Sequence, residues 1–187
     1  PPGGLYGLVS GRVGMWVAPQ ERGPYLGHIM RPGHWFGLAS ALNRKSRAIG
    51  LRTIKPSQLL LVPMNKLDQL VADAPGDWRH FTVLAELNTA IAMTAVDDLL
   101  IRSPSKRCAA VLLRLAGLRG SGQLLPPLTT VDVTQDELAH LSNLSRNTAG
   151  VVLRELEMQG VIELGYRSVI IRDAAALLRH VAPGDDE

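Results

Sequence analysis

The first third of the chain alternates short apolar runs with glycine and proline, a pattern typical of β-structure. The runs LYGLV and RVGMWV flank Ser10-Gly11, which predicts a hairpin. GPYLGHI, AIGLRTI and QLLLVP predict further strands, and RPGHWFGLASALNRKSRA predicts a turn with a short helix over Leu38 to Leu42. Short strands with glycine-rich turns indicate a small sandwich or barrel-like roll, which we assign to residues 1–75.

After Pro63 the hydrophobic period changes from that of a strand to that of a helix. MNKLDQLVAD predicts a short helix that ends before Pro75. The proline-free segment 76–102 predicts one long helix with a narrow apolar stripe, which favours a helix–helix seam between two copies of the chain. The alternative is that the stripe packs on the chain's own roll. The predicted seam residues are Leu84, Leu87, Ile91 and Ala95.

A third segment, 103–187, begins with a helix start. Ser103 is a suitable N-cap, and Pro104 fits the first helical position because its φ is already helical. Gly117 and Gly120 are expected to end this helix. The stretch QLLPPLTTVDV then predicts a loop and a short extended segment.

TQDELAHLSNLSRNTAGVVLRELEMQG has the pattern of two helices joined by a tight turn. Thr134 and Glu137 form a capping box, in which each side chain satisfies a backbone N–H at the helix start. Ser142 and Asn143 suit the turn, since asparagine tolerates the left-handed conformation. Ser145 then caps the second helix. The following VIELGYRSVIIRD predicts a two-stranded ribbon, so the whole segment predicts a winged helix-turn-helix.

The start of the second helix carries the chemistry expected of a DNA-reading surface. In such modules the residues near the N-terminus of this helix reach base edges in the major groove. Arg146 can present a bidentate fork to guanine, and Asn147 can pair with adenine or a phosphate. Ser145, Thr148 and the backbone amides of the first turn suit phosphate, and Arg167 lies at the tip of the predicted ribbon.

Composition limits the function classes. The chain has 187 residues, a net charge of +3 and a pI of about 9.4, which permits a nucleic-acid partner. Residues 100–187 carry ten Lys/Arg and ten Asp/Glu, so the DNA argument rests on where the arginines lie. No apolar run is long enough to cross a bilayer and no secretory signal is evident. With Cys108 as the single cysteine, these features predict a cytoplasmic protein with no membrane partner.

The sequence also bears on two other classes of function, an enzyme and a protein-interaction module. Five scattered histidines and one cysteine in an apolar run provide no nucleophile–base pair, metal-ligand spacing or phosphate-binding glycine loop. We therefore predict no catalytic residues and no metal site. The alternative to a DNA regulator is a ligand-binding or protein-interaction module whose winged helix docks on protein.

Three segments resemble one family. TQDELAHLSNLSRNTAGVVLRELEMQGVIEL is similar to the DNA-binding segment of the cyclic-AMP receptor protein/FNR (Crp/Fnr) family of bacterial transcription regulators. GHWFGLASALNRKSRA resembles the family's phosphate-binding cassette, and residues 76–101 match its dimerisation helix in position. The resemblance implies an α+β fold: an N-terminal cyclic-nucleotide-binding-like β-roll, a long dimerisation helix and a C-terminal winged helix-turn-helix. The roll would be truncated here, because the family's first strands would lie before Pro1.

The resemblance implies a homodimer that reads a palindromic promoter site in double-stranded DNA, with RNA polymerase as a further partner if the protein activates transcription. Arg146 and Asn147 fall at base-contacting positions, and Val151 replaces an arginine, so the preferred DNA sequence should differ from the family's best-known one. Thr134 and Gln135 fall at backbone-contacting positions. The expected DNA-binding residues are Thr134, Gln135, Ser145, Arg146, Asn147, Thr148, Val151, Arg154, Arg167 and Ser168.

In the sensor half the sequence departs from the cyclic-nucleotide binders. Leu38 stands where they carry a ribose-binding glutamate, and Ala48 replaces a small hydroxyl residue, although Arg47 keeps the phosphate-binding arginine. Losing the carboxylate removes a charge-assisted hydrogen bond worth about 1.5–3 kcal/mol. Cyclic AMP is therefore not the expected effector, and the effector stays unidentified. The residues that the resemblance places at the effector site are Gly37, Leu38, Ala39, Arg47, Ala48, Thr89, Ala92 and Met93.

The cofactor question is also constrained by the sequence. A single cysteine argues against the iron–sulfur sensors of the family. Haem stays open, with His28, His34 and His80 as candidate ligands, although their spacing selects none of them. A roll that binds no effector at all is the remaining alternative.

Overall fold

The computed structural model describes residues 3–18, 23–47, 49–120 and 125–182. The chain forms two compact units, Pro1–Ala90 and Ile91–Glu187, called here the N-terminal and C-terminal units. None of the helices in the described part of the chain is both long and apolar enough to span a membrane. The predicted domain boundaries at residues 75 and 102 stay a prediction.

The N-terminal unit is built on an antiparallel sheet. Strand β1 lies at its centre and pairs with every other strand of the sheet. Leu8, Val13, Met30 and Phe36 form a buried core beneath it. The elements are β1 Gly4–Val17, β2 Tyr25–Met30, β3 Trp35–Phe36, α1 Leu38–Asn43, β4 Gly50–Pro63, α2 Met64–Asp73 and a 3₁₀ turn Pro75–Asp77.

The predicted hairpin at Ser10-Gly11 is wrong. Residues Gly4–Val17 form one continuous strand of 14 residues, and Gly11 lies at an irregularity in its pairing with β4. Gly11 has a φ of +89°, and a Cβ there would overlap the carbonyl oxygen of Pro56. Glycine at positive φ occurs both in tight turns and at irregularities in strand pairing, so local sequence did not distinguish the two.

The two strands predicted from AIGLRTI and QLLLVP are also one strand, which begins at Gly50. β4 runs through Pro56 without a break and pairs with β1 along most of its length. Proline is tolerated because β4 pairs with β1 alone among the described strands, so the missing N–H need not serve a second neighbour. The helix predicted over Leu38 to Leu42 is confirmed by α1, Leu38–Asn43.

Helix α3, Trp78–Leu100, confirms the predicted long helix and begins after the 3₁₀ turn. It starts in the N-terminal unit and ends in the C-terminal unit. The remaining elements belong to the C-terminal unit. They are α4 Pro104–Ala116, β5 Thr130–Val131, α5 Gln135–Leu141, α6 Arg146–Met158, β6 Ile162–Gly165, β7 Ser168–Ile171 and α7 Ala174–Val181.

In the C-terminal unit, four helices pack with a three-stranded sheet of order β5-β7-β6. The predicted N-cap is confirmed, since Ser103 accepts a hydrogen bond from the amide of Lys106. Helix α4 ends as expected at Gly117, which has a φ of +78°. Its residues 108–116 are all buried, so α4 is the centre of this unit.

Helix α7 was not predicted from the sequence. Asp173 caps it by accepting a hydrogen bond from the amide of Ala176, and Leu177 and Val181 are buried on one face. This Asp cap followed by apolar residues four apart is a helix signal that was available in the sequence. The predicted frayed tail begins at Ala182 and lies almost wholly outside the described residues.

Candidate nucleic-acid interface

The first helix of the predicted helix-turn-helix has the expected start. The Thr134 hydroxyl accepts a hydrogen bond from the Glu137 amide at 3.2 Å, and the Thr134 amide donates to the Glu137 carboxylate at 2.7 Å. The capping box is therefore present. The Thr134 hydroxyl already accepts the hydrogen bond from the Glu137 amide. A contact between Thr134 and a DNA phosphate would therefore use the hydroxyl proton, which the cap leaves available.

The turn between the helices forms as the sequence predicts. Asn143 adopts a φ of +49°, and its amide donates to the carbonyl of His140. The Leu144 amide then donates to the carbonyl of Ala139, which closes the turn. Ser145 begins the second helix by accepting a hydrogen bond from the Thr148 amide at 3.1 Å. The Ser145 and Thr148 hydroxyls also bond to each other at 2.8 Å.

A close contact fixes the first helix against the start of the second. The Gln135 side-chain amide donates to the backbone carbonyl of Arg146 at 2.8 Å. Gly150 is buried directly beside it, and a Cβ on Gly150 would overlap the Gln135 side chain. The same Cβ would lie 3.5 Å from a terminal guanidinium nitrogen of Arg154. Glycine at 150 therefore leaves the space that the Gln135 side chain occupies beside α6.

Helix α6 separates into a buried face and an exposed face. The exposed face carries Arg146, Asn147, Val151 and Arg154, which are all expected DNA-binding residues. The helix is amphipathic at a spacing of three and four residues, as the sequence predicts. The buried residues are Ala149, Gly150, Val152, Leu153 and Leu156.

The arginines and the asparagine of this surface are available to a ligand. Arg146, Asn147, Arg154 and Arg167 are exposed, and in the described part of the chain their side chains form no hydrogen bond or ion pair. Free guanidinium groups beside the amides of a helix N-terminus suit the phosphates and guanine edges of DNA. The surface thus combines a fixed backbone with unengaged polar side chains.

The ribbon lies as predicted. Gly165 pairs with Ser168, which leaves Tyr166 and Arg167 as a two-residue turn at the tip. Arg167 adopts a φ of +55°, and Tyr166 is 93% exposed. Arg167 and Ser168 are among the residues predicted from the sequence, whereas Tyr166 is not. Its place between Gly165 and Arg167 puts it at the tip of the predicted ribbon, and this position could have identified it.

A buried ion-pair network supports this unit, and the sequence analysis missed it. Asp98, near the end of α3, accepts hydrogen bonds from Arg114 at 2.6 Å and from Arg119 at 2.8 Å. The Asp98 and Arg114 side chains are 0% and 3% exposed. Desolvation by burial lowers the pKa of Arg114, and the bond to Asp98 opposes that shift. An arginine inside the apolar run VLLRLA was the sequence signal for such a partner.

The predicted seam residues are not the most accessible residues of α3. All four are half-buried within the single chain, and nearby Asn88 donates to the Trp35 carbonyl on the sheet at 3.3 Å. A different stripe is exposed along its whole length, with spacings that alternate between four and three residues. This exposed stripe comprises Trp78, Thr82, Ala85, Thr89, Ala92, Val96 and Leu99.

The predicted effector residues are divided between the two units. Ala92 and Met93 are exposed on α3 beyond Ala90, in the C-terminal unit, and Thr89 is exposed in the N-terminal unit. The Thr89 hydroxyl donates to the Ala85 carbonyl at 2.9 Å. Ala48 lies outside the described residues.

The cassette itself lies in the N-terminal unit and is organised around an arginine and two aromatic rings. Arg47 lies 4.9 Å from the centroid of the Tyr6 ring, which stacks on Phe36 at 5.5 Å. Gly37 is the N-cap of α1 and has a φ of +94°. A Cβ on Gly37 would lie 2.8 Å from the carbonyl oxygen of Gly4 and 3.8 Å from Arg47, so a larger residue would crowd the Gly4 carbonyl. Ala39, the remaining cassette residue, is exposed.

Leu38 is 3% exposed, so its side chain belongs to the core of the roll. Where the resemblance implies a ribose-binding carboxylate, the chain has a packed apolar group. A glutamate in the same place would have to be desolvated or would have to displace the packing. Arg47 remains exposed, as do Arg44 and Lys45 of the same cassette, and Arg44 forms an ion pair with Asp68.

Two of the three candidate haem ligands are neighbours. The rings of His28 and His34 lie 5.8 Å apart, and burial lowers the pKa of His34. His80 is exposed on α3 beside Asp77. No group of three or more His, Cys, Asp or Glu side chains suited to a metal occurs in the described ranges. Cys108 is buried, and desolvation raises the pKa of its thiol to about 12.

The C-terminal unit combines a helix-turn-helix and a ribbon with exposed arginines at a fixed helix start. These features define the class of winged-helix DNA-binding proteins. The family descriptions match both halves: "Cyclic nucleotide-binding domain" matches residues 1–74, and "Crp-like helix-turn-helix domain" matches residues 106–180. The "Cyclic AMP receptor protein" of Thermus thermophilus is 30% identical over 183 residues, covering 96% of this chain and 80% of that protein. The chain belongs to the Crp/Fnr family of transcription regulators and is not an enzyme.

Two further comparisons agree with this family. The "CRP-like cAMP-activated global transcriptional regulator" of Mycobacterium tuberculosis is 27% identical over 175 residues, covering 94% of this chain and 78% of that protein. The structure of FixK2 from Bradyrhizobium japonicum aligns with a TM-score of 0.81 at 19% identity, covering 98% of this chain and 90% of that one. The second similarity supports the α+β fold, with a sheet-based domain followed by a winged helix-turn-helix.

Proposed function

We propose that the protein is a homodimeric regulator that reads a palindromic promoter site with helix α6. The observation that carries this proposal is the start of α6, where Arg146 and Asn147 are exposed and unengaged beside a serine-capped helix N-terminus. Gln135 holds this start against α5, so the two side chains project from a fixed backbone. Thr148, Arg154, Arg167 and Ser168 extend the proposed surface toward the flanking phosphates.

The proposed dimer seam is the exposed stripe of α3. Its alternating spacing of four and three residues is the 3.5-residue period of a left-handed coiled coil. Ala85 and Ala92 allow two helices to approach closely, while Trp78, Val96 and Leu99 supply apolar area. The stripe replaces the four half-buried residues predicted from the sequence, because a seam needs side chains that the single chain leaves uncovered.

The two threonines of the stripe do not oppose a dry seam. The Thr82 hydroxyl donates to the Trp78 carbonyl at 3.1 Å, and Thr89 makes the equivalent bond to Ala85. Both hydroxyls are therefore satisfied within their own helix and leave no unpaired group when covered. Two reading helices on such a dimer would engage half-sites about one turn of DNA apart.

The test of DNA reading is the substitution Arg146→Ala. A bidentate arginine–guanine pair contributes about 1–3 kcal/mol, so the Kd for the selected site should rise roughly 5- to 150-fold. Fluorescence anisotropy at fixed salt, with the protein's own upstream region as the first probe, measures this change.

Arg179→Ala is the matched control, because Arg179 is an exposed arginine of the same unit on α7, away from the reading helix. Equal affinities of the wild type and Arg146→Ala would contradict the assignment of α6. Sequence-indifferent, weak DNA binding together with tight binding to a protein partner would favour the alternative, a winged helix that docks on protein.

We also propose that cyclic AMP is not the effector of this roll, on the basis of the packed Leu38 side chain. A ligand at 100 times its Kd stabilises the folded state by about 2.7 kcal/mol, which is several degrees in Tm. A thermal-shift assay with millimolar cyclic AMP is expected to show no such change. A shift that disappears in Arg47→Ala would contradict this proposal and would place the nucleotide in the cassette.

A further inference from the structure

The exposed face of α6 has an apolar residue at its middle. Val151 lies four residues after Asn147 and three before Arg154, so the three side chains share one stripe on the side opposite the buried residues. Val151 is 47% exposed, whereas the neighbouring Val152 and Leu153 are 5% and 4% exposed. The core of the unit therefore does not need Val151, and its side chain is free to contact whatever α6 contacts.

Valine restricts the base that can lie opposite it. Its side chain neither donates nor accepts a hydrogen bond, so it would cover the major-groove acceptors of guanine or the amino group of cytosine without replacing their bonds to water. Thymine differs because its 5-methyl group presents an apolar surface in the major groove. Contact between that methyl group and Val151 removes apolar area from water on both sides.

We propose that Val151 selects thymine in each half-site through the 5-methyl group, about two base pairs from the base that Asn147 contacts. This inference rests on the proposed DNA-reading role of α6. This spacing applies to a helix whose axis runs along the DNA axis, since four residues advance about 6 Å and one base-pair step is about 3.4 Å. The Ser145 cap and the Gln135 bond to the Arg146 carbonyl hold the first turns of α6 in place, which makes the position of Val151 reproducible.

The experiment first selects high-affinity sites for the wild-type protein from a random DNA library. Each thymine of the selected half-site is then replaced by deoxyuridine, which removes the 5-methyl group and leaves the Watson–Crick edge unchanged. One position per half-site should show a Kd about fourfold higher with deoxyuridine, which corresponds to about 0.8 kcal/mol for one buried methyl group.

The variant Val151→Ala tests whether this residue causes the effect. It should bind the thymine and deoxyuridine sites with Kd values within twofold of each other. Leu178→Ala, which removes an exposed apolar side chain from α7, should keep the full fourfold difference. At the same position, 5-methylcytosine should bind the wild type more tightly than cytosine by a similar factor, and Val151→Ala should not distinguish them.

Two results would overturn the inference while leaving the proposed function intact. One is a specific selected site at which every deoxyuridine substitution leaves the Kd unchanged. The other is methyl-group discrimination that persists in Val151→Ala. If selection yields no specific site, and Arg146→Ala binds DNA as the wild type does, both the inference and the proposed function fail.

Discussion

Replacing Asp98 by alanine is expected to lower the free energy of unfolding of the C-terminal unit by about 3–5 kcal/mol. Asp98 is fully buried and accepts hydrogen bonds from Arg114 and Arg119. Without the carboxylate, the guanidinium of Arg114 stays desolvated among the buried residues of α4 and loses its charge compensation. A loss of this size is a large fraction of the stability of a typical domain.

Urea unfolding followed by far-UV circular dichroism, together with hydrogen exchange of the α4 amides, measures this change within the C-terminal unit. Asp97→Ala is the matched control, because the adjacent Asp97 pairs with Arg119 but is 65% exposed. Such a surface pair contributes at most about 1 kcal/mol. Equal losses for the two variants would show that the network does not carry the stability of the unit.

A second pair of substitutions separates the charge from the packing. If burial of an uncompensated arginine causes the loss, the double variant Asp98→Leu/Arg114→Met should be more stable than Asp98→Ala, since an apolar pair needs no charge compensation. A double variant that is no more stable than Asp98→Ala would instead indicate that the uncompensated charge of Arg114 does not cause the loss.

Replacing Ala92 by glutamate is expected to convert the proposed dimer to a monomer and to weaken binding to a two-half-site DNA about 10²- to 10⁴-fold. Ala92 lies in the middle of the exposed stripe of α3, where a two-fold axis would bring two carboxylates together in a desolvated seam. The affinity falls because the second reading helix is no longer held near its half-site.

Sedimentation velocity measures the oligomeric state, and anisotropy with one-half-site and two-half-site DNA measures the coupling. Affinity for a single half-site should not change, which distinguishes loss of the dimer from damage to the reading helix. Val83→Glu is the control, since Val83 is 43% exposed on α3 but lies off the stripe. If Ala92→Glu remains dimeric, the seam lies elsewhere.

The DNA-binding half was the more predictable part of the fold. Its elements are set by contacts within a few residues: the Thr134–Glu137 box, the positive φ of Asn143 and the Ser145 cap. The two faces of α6 follow from helical spacing alone. Local sequence therefore predicted both where these helices begin and which side chains of α6 are exposed.

The N-terminal unit was less predictable because its structure depends on pairing between distant residues. Gly11 lies within a strand and not at a turn because β1 continues against β4, more than forty residues later in the chain. The same limitation applies to α3. Its apolar residues form two stripes, and only the burial of Leu84 and Leu87 beside the exposed stripe shows which one remains uncovered.

The sequence by itself determined the helix-turn-helix, the ribbon that follows it and the long helix α3, because each depends on residue type at short spacing. The tertiary structure decided the free state of the Arg146 side chain, the burial of Leu38 and the pairing of Asp98 with Arg114. These features depend on which segments approach each other in space. A side chain is buried, or its charge compensated, by residues distant in sequence, and the spacing of neighbouring residues does not specify those contacts.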